Sequence, residues 1–103
     1  MRLFVARDGG VALGCGAFQL HGDGSAELKS MFVAPAARGR GVGRRVLEAI
    51  ETAVRGRVSV LRLETGVKQH AAIRLYERAG FRRRGPFGSY RDGPLSVFME
   101  KAL

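Results

Sequence analysis

The chain has 103 residues, of which 46% are hydrophobic and 26% charged, as is ordinary for one soluble globular domain. Lysine and arginine outnumber aspartate and glutamate by 18 to 9, and the net charge of +9 favours a polyanionic partner: nucleic acid, an anionic membrane surface or a phosphorylated cofactor. No apolar run could span a bilayer or act as a signal peptide, and a lone cysteine excludes an internal disulfide. We therefore expect a cytoplasmic, metal-free protein with a single domain over residues 1–103.

Three β-type segments come first, separated by glycine-rich turns. Leu3–Arg7 and Val11–Leu20 are rich in apolar residues, and two glycines inside the second segment indicate a bulge. Ala26–Val33 is the third strand, and simple alternation predicts that its odd-numbered residues share one face and its even-numbered residues the other. The tight turns predict an antiparallel meander.

The pattern changes to alternating helices and strands after Pro35. Apolar residues at steps of three and four predict an amphipathic helix that begins at Val42 and stops before Gly56. Val58–Thr65 is a fourth strand, and the crossover should place it parallel to the third. The remaining predicted elements are a helix and two strands, Gln69–Ala79, Phe81–Arg84 and Leu95–Lys101. The predicted fold class is α/β (α+β): a mixed sheet with an N-terminal meander, a β-α-β crossover, a second helix and C-terminal strands.

The clearest chemical motif is a loop rich in glycine and arginine, Arg38–Gly43, between the third strand and the first helix. Its glycines allow close approach of a ligand, and it leads into a helix N-terminus, where free N–H groups and the helix dipole favour an anion. It is not a Walker A motif, because no Gly-Lys-Ser/Thr follows, and its alternating glycines differ from the Gly-x-Gly-x-x-Gly dinucleotide pattern. The motif predicts a phosphate site; the alternative is a tight turn with incidental arginines.

Two segments, in this order, match family signatures. Arg38-x-x-Gly41-x-Gly43 fits the pattern (Gln/Arg)-x-x-Gly-x-(Gly/Ala), and residues 69–81 are similar to Asn-x-x-Ala-x-x-Leu-Tyr-x-x-x-Gly-Phe. The chain thus resembles the GNAT superfamily of acetyl-CoA-dependent N-acetyltransferases over residues 3 to 101. The resemblance also implies that the usual N-terminal strand and helices of that superfamily are lacking.

The resemblance implies a binding mode for acetyl-CoA. Loop amides hold the pyrophosphate, and the pantetheine arm enters a gap between the third and fourth strands. Gln69 stands where the family usually has asparagine. The implied cofactor-binding residues are Met31, Phe32, Val33, Arg38, Gly39, Arg40, Gly41, Val42, Gly43, Arg44, Gln69 and Tyr76.

The implied reaction is direct attack of a primary amine on the thioester in a ternary complex. A lysine-like amine has a pKa of about 10.4, so a base or a water chain must remove its proton. Glu27 matches the strand glutamate that acts as base in histone-modifying members, and a salt bridge on the sheet is the equal alternative. Tyr76 matches the tyrosine that protonates the departing thiolate, since a phenol pKa of about 10 lies near a thiol pKa of about 8.5. A core tyrosine is the alternative there.

Three functions remain open from the sequence: an N-acetyltransferase acting on a small amine or an exposed peptide amine, a catalytically inactive acetyl-CoA-binding protein, and a nucleic-acid-binding module. The third is disfavoured because no interleaved aromatic and basic strand motif is present, and we expect neither specific nucleic-acid binding nor membrane binding. The lacking N-terminal elements should leave an edge and part of a face uncovered on Leu3–Val33. A homodimer through the face with Leu3 and Val5, or through the last strand, is therefore expected.

Overall fold

Six strands, two α-helices and a short 3₁₀ helix (Pro35–Ala37) make up the structure, a computed structural model that describes residues 1–103. The strands are β1 (Arg2–Asp8), β2 (Val11–Leu20), β3 (Ser25–Val33), β4 (Val60–Gly66), β5 (Arg82–Arg84) and β6 (Ser96–Ala102). The helices are α1 (Val42–Val54) and α2 (His70–Arg78). The sheet order is β1-β2-β3-β4-β6-β5, and every neighbouring pair is antiparallel except β3 and β4. The predicted mixed sheet, with its meander and its parallel crossover, is confirmed.

Element boundaries differ from the sequence prediction by one or two residues. β4 begins at Val60 rather than Val58, because the Val58 N–H still bonds to the Val54 carbonyl of α1 at 3.1 Å. The second helix is shorter than predicted by one residue at each end, since Gln69 and Ala79 are its N-cap and C-cap.

A bulge in β3 changes which of its residues face the helices. The left-handed φ of +56° at Ser30 lies where the register between β2 and β3 shifts, and the extra residue at that point belongs to β3. The bulge predicted in β2 lies on its other side, against β1, where Ala6 and Arg7 pair with Gly14 and Ala12. Beyond Ser30, Met31 and Val33 pack against the core, whereas Phe32 is 52% exposed on the other face. The prediction of simple alternation is therefore wrong: Glu27 and Met31 lie on opposite faces.

The core lies between the sheet and the two helices. Its largest fully buried apolar side chains are Leu47, Ile50, Val54, Leu61, Leu63 and Met99. α1 approaches β2 closely at Gly16, where an added Cβ would lie 2.5 Å from the Met31 sulfur and 2.7 Å from Val46. Neither helix has the length and apolar character needed to cross a membrane.

The sheet face away from α1 and α2 is called the open face here. Over β4 and β6 it is covered by residues 85–95, whose Phe87 and Tyr90 pack on Phe98 with ring centroids 5.8 and 5.6 Å away. The guanidinium groups of Arg62 and Arg84 lie over the Phe87 ring at 5.8 and 5.6 Å. These contacts anchor an otherwise irregular segment to the sheet.

Candidate functional site

β3 and β4 diverge at their carboxyl ends. Their parallel pairing covers only Ser25–Leu28 and Val60–Leu63. Beyond these residues β3 stays paired with β2, and β4 stays paired with β6, so the facing edges of β3 and β4 are not paired with one another. The resulting gap can admit an extended ligand as if it were an additional strand.

We call the cavity in this gap the wedge. Its volume is about 180 Å³. Its lining residues are Leu28, Lys29, Ser30, Met31, Leu63, Glu64, Thr65 and Tyr76. Tyr76 reaches the wedge from α2, on the helix side, and Glu64 reaches it from β4. The wedge therefore brings a phenol and a carboxylate to one small cavity.

A larger cavity, the groove, passes between α1 and α2 and has a volume of about 1310 Å³. Met31 and Tyr76 line both the groove and the wedge, so the two cavities meet there. The groove contains every residue predicted to bind the cofactor except Arg40. The Arg40 guanidinium instead lies 3.7 Å from the Asp8 carboxylate, at the end of β1.

The N-terminus of α1 opens into the groove with its backbone donors free. Its N-cap is Gly41, whose φ of +77° is left-handed, and no side chain caps the helix. The first helical hydrogen bond runs from the Arg45 N–H to the Gly41 carbonyl at 3.1 Å, which leaves the N–H groups of residues 42–44 without helical acceptors. No acidic residue lies in the first turn. This arrangement suits an anion.

Excess positive charge lines the groove. Its basic residues are Arg38, Arg44, Lys68, Arg74, Arg78 and Lys101, and its acidic residues are Glu48 and Glu51. Both carboxylates are already paired: Glu48 lies 3.0 Å from Arg44, and Glu51 lies 2.8 Å from Lys101. Four cations therefore remain for a ligand with several phosphate charges.

Three of the lining residues on α2, His70, Arg74 and Arg78, were not predicted as site residues. They recur every four positions, so they lie along one side of the helix. This spacing was the available sequence signal, but only the tertiary structure places that side against α1.

Tyr76 lies where the groove meets the wedge. The residue is 4% exposed and packs against Phe81 with the ring centroids 5.7 Å apart. Burial raises the pKa of Tyr76 to about 12, so the hydroxyl stays protonated at physiological pH. Its oxygen has no hydrogen-bond partner in the chain, yet it is not sealed from the cavities. The hydroxyl is thus available to donate to a ligand.

Glu27, the other predicted catalytic residue, lines neither cavity. The residue is 3% exposed, and its Oε1 lies 2.9 Å from His21 Nε2. The Tyr90 hydroxyl donates to Glu27 Oε2 at 2.6 Å, and Lys29 Nζ lies 4.0 Å from the same oxygen. The hydrogen bond to Glu27 raises the pKa of Tyr90 to about 12, which keeps Tyr90 protonated as the donor. The sequence analysis predicted that Glu27 and Tyr76 belong to one catalytic site. The structure instead places Glu27 beside Tyr90, outside both cavities.

Glu64 is the wedge carboxylate that sequence reasoning missed. Its Oε2 accepts a hydrogen bond from the Ser96 hydroxyl at 2.9 Å. The signal that could have found Glu64 was the alternation along β4. Leu61 and Leu63 are buried, and the residues between and after them are more exposed. Nothing in the sequence locates where the β3–β4 pairing stops, and this determines whether a residue faces a partner strand or a cavity.

Comparisons with known proteins agree with this architecture. The family model described as "Acetyltransferase (GNAT) domain" matches residues 1–83. An IAA acetyltransferase from Azospirillum brasilense is 51% identical over 105 residues, an alignment that spans 100% of this chain and 69% of the relative.

Solved structures give the same result. A protein described as a candidate acyl-CoA N-acyltransferase from Klebsiella pneumoniae has 46% identity and a TM-score of 0.94, covering 98% of this chain and 71% of its own. A GNAT family acetyltransferase from Elizabethkingia anophelis, solved with acetyl-CoA bound, shares the fold at 19% identity and a TM-score of 0.82, covering 98% of this chain and 75% of its own. With a family model matched over most of its length and a relative at 51% identity, the chain belongs to the GNAT acetyltransferase family.

Proposed function

We propose that this protein is an N-acetyltransferase that transfers the acetyl group of acetyl-CoA to a primary amine on a small molecule or an exposed peptide. The strongest support is the junction at Tyr76, where a cationic groove meets a gap between two strands. The groove suits a long phosphorylated co-substrate, and the wedge suits its reactive end.

Binding of the co-substrate uses the α1 N-terminus and the groove cations. The free N–H groups at residues 42–44 hydrogen-bond to the pyrophosphate. The cations without ion pairs, among them Arg74 and Arg78 on α2, attract the remaining phosphate charge. The pantetheine arm pairs with the free edge of β3 at residues 31–33.

The chemistry occurs in the wedge. The neutral amine attacks the acetyl carbonyl carbon, the C–N bond forms, and the C–S bond breaks. Tyr76 donates a hydrogen bond to the sulfur as negative charge develops there. Complete transfer of the proton from a phenol of pKa about 12 to a thiolate of pKa about 8.5 costs about 5 kcal/mol. The hydrogen bond therefore comes first, and the proton reaches the thiolate only as the amine proton is lost to a base.

Binding and turnover are tested separately. Titration calorimetry at low salt should detect acetyl-CoA binding, and the affinity should fall as salt is added because screening weakens the contacts with the four cations. Thiol release from acetyl-CoA is then measured against a panel of amines and peptides. IAA is included because of the name of the Azospirillum relative.

Each outcome has a distinct meaning. Absence of acetyl-CoA binding by the wild type at low salt contradicts the whole proposal. Binding without thiol release on any acceptor identifies the inactive acetyl-CoA-binding protein instead. Tight, sequence-selective binding to duplex nucleic acid at physiological salt would assign the positive charge a different role.

The proposal includes a homodimer. Leu3 is 60% exposed and Val5 is 40% exposed on the open face of β1, which is an edge strand with no neighbour on one side. An exposed edge with apolar side chains favours association with a partner. Light scattering should give twice the 11.2 kDa chain mass. A particle of single-chain mass that persists at high protein concentration contradicts the dimer.

A further inference from the structure

Lys29 and Glu64 carry opposite charges at the point where β3 and β4 separate. The last paired residues of the two strands are Leu28 and Leu63, so Lys29 and Glu64 come next and lie across the gap from one another. Both residues line the wedge. A cation and an anion therefore flank one small cavity, at the end where the strands are still joined.

The two charges do not neutralise one another. Lys29 Nζ lies 4.0 Å from Glu27 Oε2 and forms no ion pair with Glu64. Glu64 Oε2 accepts instead from the Ser96 hydroxyl, at 2.9 Å. A separation of 4.0 Å is longer than a hydrogen bond, and the Lys29 side chain is 34% exposed, against 4% for Glu27. The Lys29 ammonium therefore keeps donors for a ligand.

Both charged residues lie on the open face of the sheet, opposite the groove. Glu64 pairs directly with Phe98 of β6, which the 85–95 segment covers on that face, and directly paired residues point to the same side. Lys29 approaches Glu27, which holds Tyr90 of the same segment. A ligand that binds these charges therefore approaches the wedge from the side away from the groove, and the groove stays free for acetyl-CoA.

The 85–95 segment restricts the space beside these charges. Its Tyr90 hydroxyl donates to Glu27 Oε2 at 2.6 Å, and this hydrogen bond ties the segment to β3 close to Lys29. The wedge has a volume of only about 180 Å³. The space therefore suits a small acceptor better than a peptide chain that continues beyond its amine.

We propose that the Lys29 ammonium binds a carboxylate of the acceptor, and that the preferred acceptor is therefore an amino acid rather than a peptide terminus or a simple amine. This inference rests on the proposed acetyl transfer. The ammonium and carboxylate groups of an amino acid match the two opposite charges of the wedge. An ion pair in a partly enclosed cavity is stronger than one in water, and it fixes the position of the amine. A peptide terminus has an uncharged amide in place of that carboxylate and cannot form the ion pair.

The carboxylate orients the acceptor and forms no covalent bond. The amine nitrogen bonds to the acetyl carbon and the C–S bond breaks. The amine loses one proton and the thiolate gains one, so the products are an N-acetyl amino acid and the thiol of coenzyme A. Lys29 is thus a specificity-determining residue and takes no part in the proton transfer.

The experiment compares amino acids with their carboxamides, which lack only the charged carboxylate. Lys29→Met keeps a long side chain at this position but removes its charge. With kcat/KM expressed per neutral amine, the wild type should prefer the acid. Lys29→Met should lower the acid-to-amide ratio by about 10–100-fold, the effect of losing one hydrogen bond between charged groups. Comparing the ratio between the two proteins cancels the difference in reactivity between the two amines.

Two further variants test whether the charge must be at this position. Lys29→Arg restores a cation and should recover most of the preference for the acid. Arg83→Gln removes an exposed cation of β5 that lines neither cavity, and it should leave the ratio at the wild-type value. Calorimetry should give the wild-type acetyl-CoA dissociation constant for all three variants, which checks that each one is folded.

The outcomes separate this inference from the proposed function. An acid-to-amide ratio that is the same in the wild type and in Lys29→Met overturns the assignment of Lys29 and leaves the acetyltransferase intact. Faster acetylation of a peptide terminus or a simple amine than of any amino acid, per neutral amine, overturns the acceptor class. A wild type that binds acetyl-CoA but acetylates no amine overturns the proposed function as well.

Discussion

Tyr76→Phe should lower turnover by about 10²–10⁴-fold while acetyl-CoA affinity stays at the wild-type value. The substitution removes only a hydroxyl, and that hydroxyl has no hydrogen-bond partner in the chain. The ring remains packed against Phe81. The protein should therefore fold as before, and the loss should appear in the step that breaks the C–S bond. Thiol-release kinetics give kcat, and calorimetry gives the dissociation constant.

The high pKa of Tyr76 adds a pH dependence to this prediction. An ordinary phenol loses its proton near pH 10, whereas Tyr76, with a pKa of about 12, keeps it well above that pH. Loss of activity caused by deprotonation of Tyr76 should therefore begin only as pH approaches 12, in the pH range where the protein is still folded.

Tyr90→Phe is the matched control, because it removes the hydroxyl of the other tyrosine, on the open face. It leaves a buried oxygen of Glu27 without its donor and should cost about 1–3 kcal/mol of stability. Turnover of the folded protein should stay near wild type. Unchanged turnover in Tyr76→Phe, with chemistry shown to be rate-limiting, contradicts the acid role.

Gly41→Val should weaken acetyl-CoA binding by about 10²–10⁴-fold, equivalent to two lost charge-assisted hydrogen bonds at about 1.5–3 kcal/mol each. Gly41 is the N-cap of α1 with φ +77°, a conformation that costs an L-residue about 1–2 kcal/mol. No protein atom other than those of the chain neighbours lies within 4 Å of an added Cβ, and Gly41 lines the groove, so we expect the new side chain to project into the groove close to the free N–H groups. Calorimetry measures the loss.

Gly22→Val separates backbone strain from loss of the ligand site. Gly22 also has φ +77° and open space around an added Cβ, but it lies in the β2–β3 turn and outside the groove. Both variants should lose similar stability in denaturant unfolding, and only Gly41→Val should lose acetyl-CoA affinity. Equal affinities in the two variants would contradict a phosphate site at the α1 N-terminus.

Local sequence patterns were sufficient to predict the elements and to bring together the residues at the end of the site that is proposed to bind phosphate. The loop over residues 38–44 is contiguous, and a glycine-rich turn before an amphipathic helix forms the same anion site wherever that helix packs. The strand–helix–strand crossover likewise predicted the parallel pairing of the third and fourth strands. These features depend on neighbouring residues, whose separation in space follows from their separation in sequence.

The reacting end of the site depended on contacts between distant residues. The bulge at Ser30 reverses the alternation of β3, and the early end of the β3–β4 pairing opens the wedge beside Glu64. Tyr90 engages Glu27 across 63 residues, and Arg40 turns towards Asp8 at the far end of β1. The sequence by itself indicated which loop and helix are proposed to bind the phosphates. Only the tertiary structure decided which carboxylate faces Tyr76, because register and strand divergence result from packing of the whole sheet and not from the local pattern of any strand.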